Sequence, residues 1–260
     1  MSQAIRYPEI LEIARRDGKV TVEGLAEHFE VTLQTIRRDL TDLAEAGRLE
    51  RVHGGAVLPS GTTNIAYEER RQLNAAAKTA MARACAAQVP DDCTVFLNIG
   101  TSTEAVANEL RHHNNLLVVT NNMNVANTLS QNPNSQVIVT GGSLRQSDGG
   151  LVGDITTSTI RQFKFDIGVI GCSAIDQDGD ILDFDVQEVG VTRTILAQSR
   201  RTFLIADHSK LKRVAPARVT SLGDIDVFFT DRPIEANLKS LCDQWDTDVV
   251  VNKVGGVENC

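Results

Sequence analysis

The sequence predicts an α/β protein in two parts, a small N-terminal module and a larger domain built on a mostly parallel β-sheet. Two patterns support this. Apolar residues recur at helical spacing through residues 5–46 and are followed by a short hairpin pattern that contains glycines. From residue 94 onward, short apolar runs alternate with amphipathic stretches, which is typical of strands and helices that alternate along a parallel sheet.

The N-terminal part is predicted to contain three helices. Apolar spacing places them over residues 5–17, 22–29 and 33–46, with glycines after the first and third. Thr21 and Thr32 directly precede the second and third helices, and threonine is a favourable N-cap residue. A three-residue turn separates those two helices, which is the helix-turn-helix arrangement.

The third helix has an apolar side and a polar side. Ile36, Leu40 and Leu43 fall within one arc and are expected to face the core. The opposite side carries residue types that bond base edges and phosphates, in the half of the helix that enters the major groove in such motifs. The candidate DNA-binding residues of this helix are Gln34, Thr35, Arg37, Arg38 and Thr41. The alternative is a solvated face on an ordinary three-helix unit.

A short hairpin is predicted after the third helix, from RLERV, the tripeptide HGG and AVL. Gly54 and Gly55 are expected to supply the positive φ angles of a tight turn. A hairpin in this position is a wing, and Arg48, Arg51 and His53 would let it contact phosphates or a minor groove.

Charge at first argues against a DNA partner. The net charge is −8, and residues 1–58 hold eight arginines and lysines against ten acids. The arginines nevertheless cluster within residues 37–51. We interpret the overall acidity as favouring solubility and disfavouring tight nonspecific binding to DNA.

The remaining composition is that of a soluble globular protein. The 260 residues are 42% hydrophobic and 23% charged. Five scattered cysteines without a CxxC pair argue against disulfides and a metal site. The start, MSQAIRYPEI, resembles no signal peptide, and no apolar run is long enough to cross a bilayer. We therefore expect a cytoplasmic protein with no membrane partner.

Domain boundaries follow from a short polar stretch of small residues at 59–64. We expect a DNA-binding domain at 1–58, a linker with the start of a connecting helix at 59–76, and an effector-binding and oligomerisation domain at 77–260. A single alanine-rich helix is predicted from about Glu68 into the larger domain.

Seven strands are predicted in the larger domain, from TVFLNI, LLVVT, QVIVT, FDIGVIG, TFLIAD, DVFFT and DVVVN. Open parallel sheets bind ligands at the carboxyl ends of their strands. Small, hydroxyl, amide and cationic side chains gather after four of these runs. With one acid from a later segment, the candidate effector-binding residues are Gly100, Thr101, Ser102, Thr103, Asn121, Asn122, Gly141, Gly142, Arg145, Glu188 and Lys210.

These residue types favour capture of a phosphorylated small molecule. Backbone N–H groups at a helix start and the hydroxyls of 101–103 would cradle a phosphate, with charge added by Lys210 and Arg145. The two asparagines, or carboxylates at 183, 185 and 188, would bond sugar or polyol hydroxyls. The alternative is that these residues only form turns and helix caps. The chain has neither GxxxxGK[ST] nor GxGxxG after a strand, so no nucleotide cofactor is expected.

Several phrases resemble one known family. TLQTIRRDLTDL and RVHGGA are similar to the DNA-binding module of the DeoR family of sugar-metabolism repressors. IGTSTEAVA, VTNNMNVANTL, GGSLRQSDGG, DILDFDVQEVGVTR and ADHSK are similar to its effector domain, in the same order, over residues 5–233. The resemblance implies a homo-oligomer, dimeric or tetrameric, that binds operator DNA and releases it when a phosphorylated effector binds. It also implies an effector domain folded like ribose-5-phosphate isomerase.

Within that family, VTNNMNVANTL, DGGLVG and LDFDVQEV are most similar to the branch that controls glycerol metabolism, which implies glycerol 3-phosphate as effector. The isomerase's DGADE-type motif is not matched at residues 171–175 and no KGxGGA segment exists, so enzymatic activity is not expected. Two alternatives remain. One is an isomerase-type enzyme with an accessory DNA-binding module, and the other is a repressor of the same family that senses a different sugar phosphate.

Overall fold

The structure, a computed structural model, describes residues 3–17, 19–46, 48–52, 54–57 and 67–252. The helices are α1 (Gln3–Asp17), α2 (Val22–Phe29), α3 (Leu33–Glu45), α4 (Tyr67–Gln72), α5 (Ala75–Ala87), α6 (Thr101–Glu109), α7 (Met123–Leu129), α8 (Asp154–Ile160), α9 (Val186–Gln198) and α10 (Ala236–Gln244). Short 3-10 helices cover Leu110–His112, His208–Lys212 and Leu222–Asp224. Within the described ranges, no helix is long and apolar enough to span a membrane.

The strands form a small sheet in the N-terminal module and three sheets in the larger domain. They are β1 (Lys19–Thr21), β2 (Glu50–Val52), β3 (Gly55–Val57), β4 (Thr94–Leu97), β5 (Leu116–Thr120), β6 (Ser135–Val139), β7 (Ser143–Arg145), β8 (Gly150–Val152), β9 (Phe165–Ile170), β10 (Ala174–Ile175), β11 (Asp180–Asp183), β12 (Ser199–Ile205), β13 (Ala217–Ser221), β14 (Val227–Thr230) and β15 (Asp248–Val251).

The N-terminal module has three helices around one apolar core, and the predicted helix-turn-helix is confirmed. Thr21 and Thr32 accept hydrogen bonds from the backbone N–H groups of Gly24 and Thr35, at 3.1 and 3.2 Å, and so begin α2 and α3. Each helix buries one stripe of side chains; together these include Ile10, Leu11, Val22, Leu25, Phe29, Ile36, Leu40 and Leu43. The glycines predicted to end the first and third helices, at 18 and 47, lie outside the described residues.

The wing has three strands rather than the two that the sequence predicts. β3 pairs antiparallel with β2 and also with β1, whose three residues are too few to show an alternating pattern. The expectation of positive φ at both glycines is also wrong, because Gly54 has φ of 76° whereas the φ of Gly55 is not positive. Gly55 is needed because a Cβ there would lie 1.9 Å from the carbonyl oxygen of Val20 on β1. His53 lies outside the described residues.

The connection into the larger domain is two helices, which corrects the single helix predicted from about Glu68. Between α4 and α5, Asn74 has a left-handed backbone with φ of 54°, a conformation that asparagine tolerates better than most residues. Its side chain bonds to Asp207, 133 residues away, so a distant contact accompanies the break. Residues 58–66, which include the predicted boundary at 59–64, lie outside the described residues.

Seven parallel strands form the central sheet in the order β15-β14-β12-β9-β4-β5-β6. Each predicted apolar run supplies one of them, so the mostly parallel sheet is confirmed. The chain runs from β4 through β5 and β6 to one edge, then returns to β9 beside β4 and continues to β15 at the other edge. This reversal opens a crevice at the carboxyl ends of β4 and β9. The antiparallel pieces β7–β8 and β10–β11–β13 are not predicted from the sequence.

Helices cover both faces of the central sheet. α5, α6 and α7 pack on one face and α8, α9 and α10 on the other. Within β4, Val95 and Leu97 belong to the first core and Phe96 to the second. Because both faces are covered, the strands are nearly continuous apolar runs, which is why the sequence reveals them.

Candidate DNA-binding surface and effector site

The exposed side of α3 carries the predicted DNA-binding side chains. Ile36, Leu40 and Leu43 of α3 are enclosed in the core, which fixes the rotation of the helix about its axis. Four predicted residues are therefore exposed: Gln34, Arg37, Arg38 and Thr41. Thr35 is half-buried, and its hydroxyl lies 2.9 Å from that of Thr32, so it belongs partly to the helix cap. In the wing, Arg48 and Arg51 are exposed.

Two polar contacts that the sequence analysis missed hold α1 against α3. Arg6 donates two hydrogen bonds to Asp39, at 2.7 and 3.1 Å, and both side chains are buried. Tyr7 donates its hydroxyl to Asp42 at 2.6 Å, and burial together with this bond raises the pKa of Tyr7 to about 12. Arg6 is therefore a structural residue and not part of a basic surface. The sequence carried a signal, since Asp39 lies on the core side of α3, where a carboxylate needs a partner.

The loops predicted to bind an effector leave the carboxyl edge of the sheet, after β4, β5, β6 and β12. In the first, Gly100 has φ of 136° and begins α6. Thr103 is fully buried, with its hydroxyl 2.7 Å from the carbonyl oxygens of Asn98 and Gly100. Ser102 is buried as well, whereas Thr101 is partly exposed. Phosphate binding at this loop would therefore use Thr101 and the N–H groups of the first turn of α6.

The two asparagines after β5 differ in what they leave available. Asn122 caps α7 through its side-chain oxygen and donates to Glu104 at 3.1 Å. Asn121 donates to the carbonyl oxygen of Leu151 at 3.1 Å, and its Oδ1 accepts no hydrogen bond within the described part of the chain. Both are fully buried. Asn122 is satisfied internally, and Asn121 retains an acceptor for a ligand hydroxyl.

The glycines after β6 serve packing. Gly141 and Gly142 have φ angles of 71° and 120°. A Cβ at Gly142 would lie 2.1 Å from the hydroxyl of Thr156 on α8, so the loop approaches that helix more closely than a side chain would allow. Gly142 therefore acts as a turn residue, which is the alternative to ligand binding that the sequence leaves open.

Arg145 lies among carboxylates, so the prediction that it adds free positive charge is wrong. It donates to Asp148 at 2.9 and 2.7 Å, to Asp185 at 2.8 Å and to Glu188 at 2.9 Å. Burial opposes the charged form of Arg145, but these partners outweigh it and raise its pKa further. Burial, with Asp183 nearby, raises the pKa of Glu188 to about 8. These groups satisfy one another and bring no excess positive charge to the sheet edge.

Positive charge at the edge comes instead from the predicted residue Lys210 and from three residues that the sequence analysis missed. These are Lys78 on α5, Arg70 on α4 and Arg213. Burial, assisted by the neighbouring arginines, lowers the pKa of each lysine to about 8. Lys78 donates to the carbonyl oxygen of Arg70. Within the described ranges, the Lys210 ammonium makes no hydrogen bond or ion pair. A signal for Lys78 was its place in the buried stripe of α5, one turn before Met81.

Asp207 is the carboxylate that both lysines approach. It is 2% exposed, and its Oδ1 accepts hydrogen bonds from Asn74 at 2.8 Å and from the backbone N–H of Ser209 at 3.0 Å. Burial alone would raise the pKa of Asp207, but Lys210 and these bonds outweigh it and hold the pKa below its usual value. Lys78 is buried and Lys210 is partly buried, and an anionic ligand would match the positive charge that they bring to Asp207.

A cleft of about 400 Å³ opens between α4, α5, α6 and α7, beside Lys78. Lys78, Thr101 and Glu104 line it, and Tyr67 closes one side by donating its hydroxyl to Glu104 at 2.8 Å. Its volume is within the range of small-molecule sites. In the part of the chain that the structure describes, Thr101 is the one predicted effector residue that lines this cleft, and Lys210 lies outside the lining.

Comparison with known proteins finds family matches in both parts of the chain. Residues 6–62 match the DeoR-like helix-turn-helix domain, and residues 73–232 match the DeoR C terminal sensor domain. The glycerol-3-phosphate regulon repressor of Escherichia coli (strain K12) is 45% identical over 233 residues, covering 90% of this chain and 92% of that protein. The protein of the same name from Haemophilus influenzae is 42% identical over 252 residues, covering 97% and 98%.

Among solved structures, the predicted fold relative is found at low similarity. Ribose 5-phosphate isomerase from Plasmodium falciparum matches 54% of this chain and 53% of its own, with 13% identity and a TM-score of 0.39. A match of this size says nothing about activity.

Proposed function

Because the chain belongs to the DeoR family of transcriptional repressors, we propose that it binds an operator through α3 and the wing and releases it when glycerol 3-phosphate binds the second domain. The observation that carries the ligand class is the pair Lys78 and Lys210, which both lie close enough to Asp207 at the carboxyl edge of the sheet to interact with it electrostatically. A buried cation is costly unless it is paired, and a phosphate dianion would pair both. The names of the two full-length relatives support glycerol 3-phosphate as the phosphate ester.

The proposed operator contacts divide by chemistry. Gln34, Arg37 and Arg38 would read base edges in the major groove, since glutamine suits adenine and arginine suits guanine. Backbone phosphates and a minor groove would be contacted by the remaining predicted residues, which are Thr35, Thr41, Arg48, Arg51 and His53. We assign this role to residues 1–58 and effector binding to residues 77–260.

The proposed effector contacts also divide by chemistry. Thr101, the first N–H groups of α6, Lys78 and Lys210 would hold the phosphate. The free Oδ1 of Asn121 would accept a hydrogen bond from a glycerol hydroxyl. We assign packing and structural roles to Thr103, Asn122, Gly142 and Arg145.

We infer that the second domain senses its ligand without converting it. Residues 171–175 contain no carboxylate at the place where the isomerase motif has several. The two full-length relatives carry the name of repressors. Turnover of glycerol 3-phosphate or of a sugar phosphate by the purified protein would contradict this inference.

We also propose that the chain acts as a homo-oligomer joined through the second domain. One recognition helix spans too few base pairs for useful specificity, so two copies would read half-sites about 34 Å apart. Leu144, Ile155 and Val186 lie on β7, α8 and α9 and are 58%, 67% and 74% exposed. α8 packs against α9, and Arg145 of β7 bonds Asp185 and Glu188 at the start of α9. Exposed apolar side chains grouped in this way are typical of a protein contact surface.

The test of the function is a titration of an operator complex with a panel of phosphorylated metabolites, on a duplex that the protein selects from a random pool. Glycerol 3-phosphate is expected to dissociate the complex. Lys210→Ala should bind the operator normally but need about tenfold or more effector for release, since a charge-assisted bond to phosphate is lost. Lys239→Ala, which removes an exposed lysine paired with Asp243, is the matched control. Release by another sugar phosphate alone would refute the effector and leave the family role intact.

A further inference from the structure

One loop of the second domain, Asp207–Lys212, lies against both the candidate effector site and the N-terminal module. Its residue Lys210 belongs to the lysine pair at the sheet edge. The 3-10 helix in this loop packs against α1. Lys212 is close enough to Asp17, the last residue of α1, to add to the lowering of that carboxyl's pKa, after the hydrogen bond from Arg16. We refer to residues 207–212 as the β12 loop.

The β12 loop is also tied to the segment that follows the linker. Asn74, in the turn between α4 and α5, donates its Nδ2 to Asp207 at 2.8 Å. The same turn leads from α4, where Arg70 donates to Asp148 at 3.3 Å. The hydrogen bond from Asn74 to this buried carboxylate therefore joins the connecting segment to the loop that touches α1.

A phosphate in the proposed site would compete with this bond. Lys78 and Lys210 now stabilise the ionised form of Asp207, and a dianion between them would take over both ammonium groups. It would also place like charge beside a carboxylate that is 2% exposed, where repulsion is weakly screened. Repulsion from the dianion would displace Asp207, and its bond to Asn74 would be lost.

The geometry points to the Asn74–Asp207 hydrogen bond as a latch that holds the connecting segment and the β12 loop in the operator-binding arrangement and that the effector's phosphate opens. This inference rests on the proposed function. A ligand shifts an equilibrium only if it binds the two arrangements unequally. Since the effector disfavours the latched arrangement and releases the operator, the latched arrangement is the one that binds the operator.

The test is Asn74→Gly, because glycine adopts a φ of 54° without strain and so removes the latch without altering the turn. Asn115→Gly is the matched control. Asn115 has φ of 52° and donates its Nδ2 to Asp92 at 2.7 Å, at the amino end of β5 and away from the site. Operator affinity is measured without effector on the selected duplex, and glycerol 3-phosphate affinity is measured without DNA by calorimetry.

We expect Asn74→Gly to weaken operator binding by about three- to thirtyfold and to strengthen glycerol 3-phosphate binding, because affinities for two ligands of one equilibrium are linked. The control should change neither. Operator affinity equal to that of the control would overturn the latch. A loss of both affinities would also overturn it, since Asn74 would then only support the fold. If the wild-type chain does not bind glycerol 3-phosphate, the proposed effector is wrong. The operator affinity of Asn74→Gly, compared with that of the control, then still tests the latch.

Discussion

Removing Asp39 should unfold the N-terminal module while leaving the second domain folded. The Arg6 guanidinium bonds Asp39 at 2.7 and 3.1 Å, with side chains only 6% and 1% exposed. At an effective dielectric of about 20, unit charges about 4 Å apart attract by about 4 kcal/mol. This agrees with the cost of about 3–5 kcal/mol for removing one member of a buried pair. A module of this size has a stability of only about 3–8 kcal/mol, so Asp39→Ala is expected to remove most of it.

Hydrogen exchange of the full chain measures this effect locally, because amides of α3 and of the central sheet are followed in the same sample. Asp39→Ala should abolish protection in α3 and leave that of β4 and β9 unchanged. Glu27→Ala removes an exposed acid from α2 and is the control. The double variant Arg6→Met with Asp39→Leu should restore protection, because an apolar pair replaces the ion pair without leaving a buried charge. A loss below about 1 kcal/mol for Asp39→Ala would refute the assigned role.

Three further predictions concern function. Arg38→Ala should cost about 1–3 kcal/mol of operator binding without changing effector affinity, and an unchanged operator affinity in a gel-shift titration would remove Arg38 from the reading face. Burial lowers the pKa of Lys210 to about 8. Glycerol 3-phosphate affinity should therefore fall as the pH rises through that value, because the neutral amine no longer attracts the phosphate. An affinity that calorimetry finds unchanged between about pH 7 and about pH 9 would contradict this. Ile155→Glu should dissociate the oligomer in sedimentation, whereas a wild-type chain that is monomeric at operator-binding concentration would refute the proposed assembly.

The sequence predicts the elements of this fold well where the signal is local. The stripe Ile36, Leu40 and Leu43 fixes which side of α3 is exposed, and the caps at Thr21 and Thr32 mark helix starts through bonds that span three residues. The seven strands are recognisable because each is buried on both faces. The prediction fails at β1, whose three residues are too few to show a pattern. It also fails at the break between α4 and α5, which lies in an alanine-rich run typical of a continuous helix.

The candidate site is less predictable for a different reason. The residue types at the strand ends correctly predict that the loops after β4, β5, β6 and β12 lie at one edge of the sheet. They do not show which side chains already have hydrogen-bond or ion-pair partners within the protein. Arg145 looks like a free cation in the sequence, and only the fold places it against Asp185 and Glu188, which lie 40 and 43 residues further along the chain. Lys78 stands in the apolar stripe of α5, but lysine side chains commonly reach solvent from such positions, and only the packing of α5 shows that this one is buried.

The sequence by itself therefore predicts the two parts of the chain, the exposed polar face of α3 and the edge of the sheet where a ligand would bind, because each depends on periodicity or on residues close together in the chain. The tertiary structure alone decides the charge of the site and its link to the N-terminal module. Asn74 meets Asp207 across 133 residues, and Arg6 meets Asp39 across 33. Whether a buried charge is neutralised or left for a ligand depends on such distant pairs, since electrostatic interactions and burial follow distance in space and not separation along the chain.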